Sequence, residues 1–210
     1  MSGLRLENIV CEVPQLGIEP GFSWYEIDAS VLDEDVGSAP DGGNAIAVTC
    51  DSHWSRLEPL LDRLVDTCVG HVQFEVGDWT DVGAIIERAR GLGVEPIPAA
   101  HTGRPPESED ELNRTIARLS ELDATIVKVA YPAERAEQAR WGVDALRSWD
   151  QGRIGLAVTP MGTRAGRVAA ALAGSRLVHA GVHATPERPS AAWFRQLAED
   201  TARQRAGEPL

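Results

Sequence analysis

At 210 residues the chain is long enough for one sizeable hydrophobic core and short for two. Its apolar fraction of 43% and charged fraction of 25% are those of a globular protein, not a disordered one. A net charge of -12 is the wrong sign for binding nucleic-acid phosphates. No apolar run approaches the roughly 18 residues of a membrane span, and the opening Met1-Ser2-Gly3-Leu4-Arg5 lacks a signal peptide's apolar stretch, so the expected compartment is the cytoplasm.

Short apolar runs alternate with longer amphipathic stretches, the pattern of βα units feeding a parallel sheet. In chain order the predicted strands are Asn8–Val13, Trp24–Asp28, Ala45–Cys50, His71–Val76, Glu95–Ala100, Thr125–Tyr131, Ile154–Thr159 and Arg176–Val182. That number of strands fits a single-domain (β/α)8 TIM barrel spanning residues 1–210. Predicted helices cover Trp54–Cys68, Thr80–Leu92, Ser108–Leu122, Pro132–Trp149, Arg164–Leu172 and Ser190–Arg205. Ser108 with Glu111 three residues on reads as a helix N-cap, and Leu112, Ile116 and Leu119 follow at helical spacing.

The first third is less regular. The connection between the first two strands contains Pro20 and Gly21, and the next contains Pro40, Gly42 and Gly43. Both are marginal for a crossover helix. The first two helices are therefore expected to be truncated, or Asn8–Val13 belongs to a hairpin. A missing helix would bare apolar barrel wall for a second subunit to cover, so a homodimer is expected.

The three cysteines Cys11, Cys50 and Cys68 have no metal-site spacing and read as reduced core residues. The six tryptophans lack an accompanying basic patch and read as packing residues. No phosphate-binding glycine loop and no metal-ligand cluster is visible among the five scattered histidines, so no metal and no cofactor are expected.

Nineteen of the twenty basic residues are arginine; the remaining one is Lys128, inside the apolar run Thr125-Ile-Val-Lys-Val-Ala-Tyr131. Arginine cannot deprotonate in a protein, whereas a buried lysine can become a nucleophile. A strand lysine whose ammonium reaches the rim is the structural alternative, but arginine would serve that purpose equally. His101 ends the preceding predicted strand, and active sites of such barrels lie at strand C-termini. An imidazole beside an amine suits imine chemistry on a ketone or aldehyde.

Several motifs resemble those of type I 3-dehydroquinate dehydratases. Asp123-Ala-Thr-Ile-Val-Lys128-Val-Ala-Tyr-Pro132 is similar to that family's Schiff-base strand. Ala100-His101 before Pro105-Pro106-Glu-Ser-Glu-Asp-Glu-Leu resembles its His-containing motif opening a helix. Met161-Gly162, Gly166-Arg167 and Ala173-Gly174-Ser175 resemble a run whose arginine holds the substrate carboxylate. Glu75 matches the second acid of its fourth strand, and Glu26 the acid of its second. The resemblance covers residues 70–185 and implies a lyase in which Lys128 forms the imine and His101 moves protons, dehydrating a β-hydroxy ketone. It implies substrate contacts at Arg167, Glu26 and Glu75.

The sequence departs from that pattern at several positions. Asp28 and Asp51 stand where the family carries arginines, and Gln73 where it carries an acid. The loop His183-Ala-Thr-Pro-Glu-Arg-Pro-Ser190 replaces a polar Pro-Gly-Gln turn. Two lost arginines weaken the hold on an anionic substrate, so a less polar or cationic carbonyl compound is expected, with His53 and His183 as further lining residues. The departures leave open a Schiff-base aldolase acting on another carbonyl, and a catalytically inactive barrel that binds a ligand or subunit.

Overall fold

The computed structural model describes residues 4–13, 22–31, 44–49, 52–65, 67–77, 79–150 and 152–207. Among them, eight strands form one sheet: β1 (Ile9–Glu12), β2 (Trp24–Asp28), β3 (Asn44–Val48), β4 (Val69–Glu75), β5 (Glu95–His101), β6 (Ile126–Pro132), β7 (Gly155–Met161) and β8 (Val178–Gly181). The order is β7-β6-β5-β4-β3-β2-β1-β8, and every neighbouring pair is parallel. Six α-helices follow from β3 onward: α1 (Trp54–Leu64), α2 (Val82–Gly91), α3 (Glu109–Ser120), α4 (Ala136–Ser148), α5 (Arg164–Ala173) and α6 (Ala191–Ala206). This is a (β/α)8 TIM barrel, as the alternating pattern implies.

The seam between β7 and β8 is closed by the segment that enters β8. Arg176 N donates to Leu156 O at 2.9 Å. Buried Ser175 accepts from Val158 N at 3.0 Å and donates through Oγ to Leu177 O at 2.9 Å. Gly174, at φ 99°, ends α5 in the left-handed conformation that frees the chain to turn into this seam.

Strand alternation sorts the side chains. Val10, Trp24, Ile46, Ile97, Ile126, Ala157 and Leu177 fill the barrel interior, while the opposite faces of the strands pack beneath the helices. A register shift between Ala45 and Ile46 leaves Gly70 unpaired with β3 and sets His71 and Gln73 beside Ile46 and Val48. The helices keep the expected faces: Leu57, Leu60, Leu61 and Leu64 are buried in α1, and Leu112, Ile116 and Leu119 in α3. Ser108 Oγ accepts from Glu111 N at 3.3 Å, the expected cap.

Three sequence expectations change. β1 pairs parallel to both β2 and β8, which removes the hairpin alternative. Helix α1 stops at Leu64 instead of reaching Cys68, and Cys68 is exposed in the turn before β4. Cys11 is buried as expected, and Cys50 lies outside the described residues. Between β2 and β3 the described residues hold one short 3-10 turn, Ala29–Val31; the remainder of the first two connections lies outside them. No helix among the described residues is long and apolar enough to cross a membrane.

Candidate active site

The inward-facing residues become polar at the C-terminal ends of the strands. Adjacent registers set their heights: Glu75 pairs with Ala99, and Ala99 with Lys128, so these three lie at one level. His101 is the next inward residue of β5, paired with Ala130. Lys128 is 5% exposed, and its Nζ donates to Gln73 Oε1 at 2.8 Å. The methyl of Ala99 is the only side chain at that level between β4 and β6, which leaves room for the lysine to cross.

Burial pulls the Lys128 pKa down, and the carboxylates of Glu26, Glu12 and Glu75 only partly oppose it. Gln73 matters because its amide oxygen accepts a hydrogen bond from the amine without holding a proton on it. A carboxylate there would stabilise the ammonium.

Glu75 holds His101 from two sides. Its Oε1 accepts from His101 N at 2.7 Å, and its Oε2 meets His101 Nδ1 at 2.5 Å. The ring is fixed by one nitrogen, and its Nε2 is left for proton transfer. Both catalytic candidates lie on adjacent strands with their reactive groups on the inner face.

A second histidine–glutamate pair, not visible in the sequence spacing, lies across the mouth. His179 Nδ1 of β8 rests against Glu26 Oε2 of β2, though the two atoms are not aligned as a hydrogen bond, and both nitrogens of the buried ring lack a hydrogen-bond partner. Burial lowers the His179 pKa, so the imidazole is neutral near pH 7. Burial alone would raise the Glu26 pKa, but His179, Lys128 and His101 outweigh it and hold it down to about 2.

Donor atoms of Glu12, Glu26 and His179 lie within 4.8 Å of one another, close enough to share a cation. The barrel assembles this group from three strands, so no sequence spacing announces it. Arg188 already bonds Glu12 and neutralises one of the two carboxylates.

Arg167 lies in the first turn of α5. Burial lowers its pKa, Glu12 opposes that shift and Arg188 adds to it; its Nε is buried without a hydrogen-bond partner. The other expected lining residues are more peripheral. His53 is exposed at the N-cap of α1, and His183 is exposed in the loop after β8. Asp28 is exposed, and its side chain accepts from Ser30 N at 2.8 Å. Asp51 lies outside the described residues. A cavity of about 560 Å³ opens over the ends of β1–β3, lined in part by Glu12, Glu26, Asp28, Thr49, Arg56 and Leu60.

Five of the six tryptophans pack in or against the core as expected, whereas Trp193 is 37% exposed. Trp24 meets His71 edge to face at 4.7 Å, and Trp149 Nε1 donates to Ile154 O at 2.7 Å.

No protein-family model matches the sequence. No curated protein sequence matches it significantly. The fold is nevertheless that of solved type I 3-dehydroquinate dehydratases. The enzyme of Clostridium difficile, solved with covalently modified comenic acid, superposes with a TM-score of 0.79 at 12% identity, over 97% of this chain and 95% of that one. A 3-dehydroquinate dehydratase from Geobacillus kaustophilus gives 0.76 at 13% identity, over 96% of both chains. That of Aquifex aeolicus gives 0.70 at 15% identity, over 91% of this chain and 97% of the other. At these identities the likeness is one of fold, a (β/α)8 barrel.

Proposed function

We propose that the chain is a Schiff-base lyase that dehydrates a β-hydroxy ketone through an iminium on Lys128. The observation that carries this reading is the lysine itself, buried in the barrel mouth beside the strand of His101, with its pKa pulled down by burial and a neutral amide as its partner. The uncharged amine attacks the ketone carbon, and loss of water gives the iminium. That cation acidifies the neighbouring carbon. His101, oriented by Glu75, takes the carbon-bound proton and delivers it to the departing β-hydroxyl, which leaves as water. Water then hydrolyses the iminium and releases the enone. No external electron sink is needed, because the iminium serves as one.

3-Dehydroquinate is the first substrate to test, given the motifs around Lys128, His101 and Arg167 and the fold shared with its dehydratases. Asp28 in place of an arginine favours a second reading, a lyase that cleaves a carbon–carbon bond of another carbonyl compound. There the same iminium forms, but the base removes the proton of the β-hydroxyl. The assay that separates them mixes the protein with 3-dehydroquinate and follows enone absorbance. Growth of that absorbance, lost in Lys128→Ala, supports the dehydratase. Inactivity of folded protein at high concentration rejects that substrate, and release of a second carbonyl fragment from other hydroxy ketones identifies the cleavage.

A further inference from the structure

A second cavity, of about 670 Å³, opens at the N-terminal end of the barrel, away from the mouth. Register sets its walls: Trp24 pairs with both Val10 and Asn44, Ile46 with His71, and Ile126 with Gly155. Trp24, Asn44, Ile126 and Gly155 each open their strand. The apolar interior around Ile46, Ile97 and Ala157 lies between this cavity and the mouth. That end of such a barrel ordinarily serves stability alone.

Its charge is unusual for a chain of net charge -12. Arg153 and Arg176 line the cavity, Arg5 stands at its rim, and among the described residues no Asp or Glu lines it. By contrast, Glu12, Glu26 and Asp28 all line the cavity at the mouth, beside Arg56 and Arg63. Arg5 is paired with Glu7, whereas neither Arg153 nor Arg176 has a carboxylate partner among the described residues.

Arg176 is built into the wall. A Cβ on Gly155 would stand 2.7 Å from Arg176 Cγ, so the glycine lets the arginine stem cross the start of β7. Arg176 Nη1 donates to Asn8 Oδ1 at 3.5 Å, and Asn8 Nδ2 donates to Ser175 O at 3.2 Å. That partner is a neutral amide, so the guanidinium is positioned without being neutralised. His71 closes the inner side. Its ring meets Trp24 at 4.7 Å, and its Nδ1 is buried without a hydrogen-bond partner. Glu95, its neighbour across the β4–β5 register, is turned to Arg90 at 3.7 Å and accepts from Thr125 Oγ1 at 3.0 Å.

We propose that this cavity is a second ligand site, separate from the mouth, which takes the phosphate group of a small organic molecule. Two guanidiniums without acid partners present forked N–H donors that match the oxygens of a phosphate dianion. A cavity of this size accepts a whole small molecule, so the organic part has room against Trp24 and His71.

Calorimetric titration of the full chain with glycerol 3-phosphate tests this, with acetate as a singly charged control. Glycerol 3-phosphate has no carbonyl for Lys128 to engage, so the result does not depend on the imine reading. The site predicts binding once per chain and a weakening of at least about tenfold in both Arg153→Gln and Arg176→Gln, in line with loss of a charge-assisted hydrogen bond. Arg176→Lys should recover part of the loss, and Arg167→Gln, at the other end of the barrel, should bind as the wild type does. Arg153 is exposed, so its variant removes the charge without disturbing the core. Absence of binding by the wild type, unchanged binding in either glutamine variant at position 153 or 176, or acetate bound as tightly as the phosphate ester, overturns the proposal. Loss of binding in Arg167→Gln overturns it as well, by placing the anion at the mouth.

Discussion

Lys128 Nζ donates to Gln73 Oε1 across the inner face of β5, and this contact joins the only lysine of the chain to a side chain that cannot take its proton. The amine is hydrogen-bonded yet not electrostatically fixed, the condition under which burial can leave it nucleophilic.

Replacing that amide by an acid restores the charge. In Gln73→Glu the carboxylate stands at ion-pair distance from the amine and raises its pKa by about 1–3 units. The pH at which half-maximal borohydride trapping is reached therefore moves upward by at least about one unit. A pH profile that superposes on the wild type would show that position 73 does not govern the amine.

A buried lysine held below its ordinary pKa costs stability. The unfolded chain binds a proton at Lys128 up to the ordinary value near 10.5, and the folded chain gives it up at lower pH, so at pH 7 the folded state carries the penalty. Lys128→Met should raise the melting temperature while abolishing trapping, with about 2–4 °C for each kcal/mol relieved. A lowered melting temperature would mean that the amine is charged and paired in the native protein.

Glu75 acts through His101. Glu75→Gln loses the ionised partner of Nδ1 but leaves Lys128 and Gln73 in place. Turnover should fall about a hundredfold or more, the usual contribution of a general base, while trapping at Lys128 persists. Parallel loss of trapping and turnover would show that Glu75 supports the fold or the amine, and not the proton transfer.

The Glu26–His179 pair sets the acid limb of stability. For both groups the folded pKa lies below the unfolded one, so the stabilisation is present above the ordinary values and is lost as pH falls. The loss begins below the ordinary histidine value of 6.5 and deepens between 4.5 and about 2 as Glu26 protonates. Melting temperature measured from pH 7 to pH 3 should fall less steeply in the double variant Glu26→Gln/His179→Gln. An unchanged slope would place the acid sensitivity elsewhere.

Ser175 ties the barrel seam, and its hydroxyl is buried between β7 and β8. Ser175→Ala strands Val158 N and should cost about 1–3 kcal/mol. Thermal melting checks it, and trapping at Lys128 should be retained in the folded fraction.

Local pattern carried much of this into the sequence. From β4 onward each strand is an apolar run and each helix has a distinct apolar face, so β5, β6 and the pair His101 and Lys128 are legible from spacing and from lysine scarcity. What escaped depends on closing the ring. Glu12 and Arg188 are 176 residues apart and meet because β8 returns to β1. His179, within Leu177-Val-His-Ala-Gly181, reads as a core histidine until alternation is followed, which puts Leu177, His179 and Gly181 on one face. The exposure of Cys68 was missed because periodicity continues past Leu64 while the helix does not.

The most direct test of the central claim is reductive trapping followed by intact-mass measurement and peptide mapping. Folded protein is incubated near pH 7 with a panel of hydroxy ketones and keto acids and treated with borohydride. Imine chemistry predicts one adduct per chain, placed on Lys128 and missing from Lys128→Ala and Lys128→Arg. Absence of an adduct with every ketone, or an adduct mapped to the chain's amino terminus and unchanged in both variants, would contradict it.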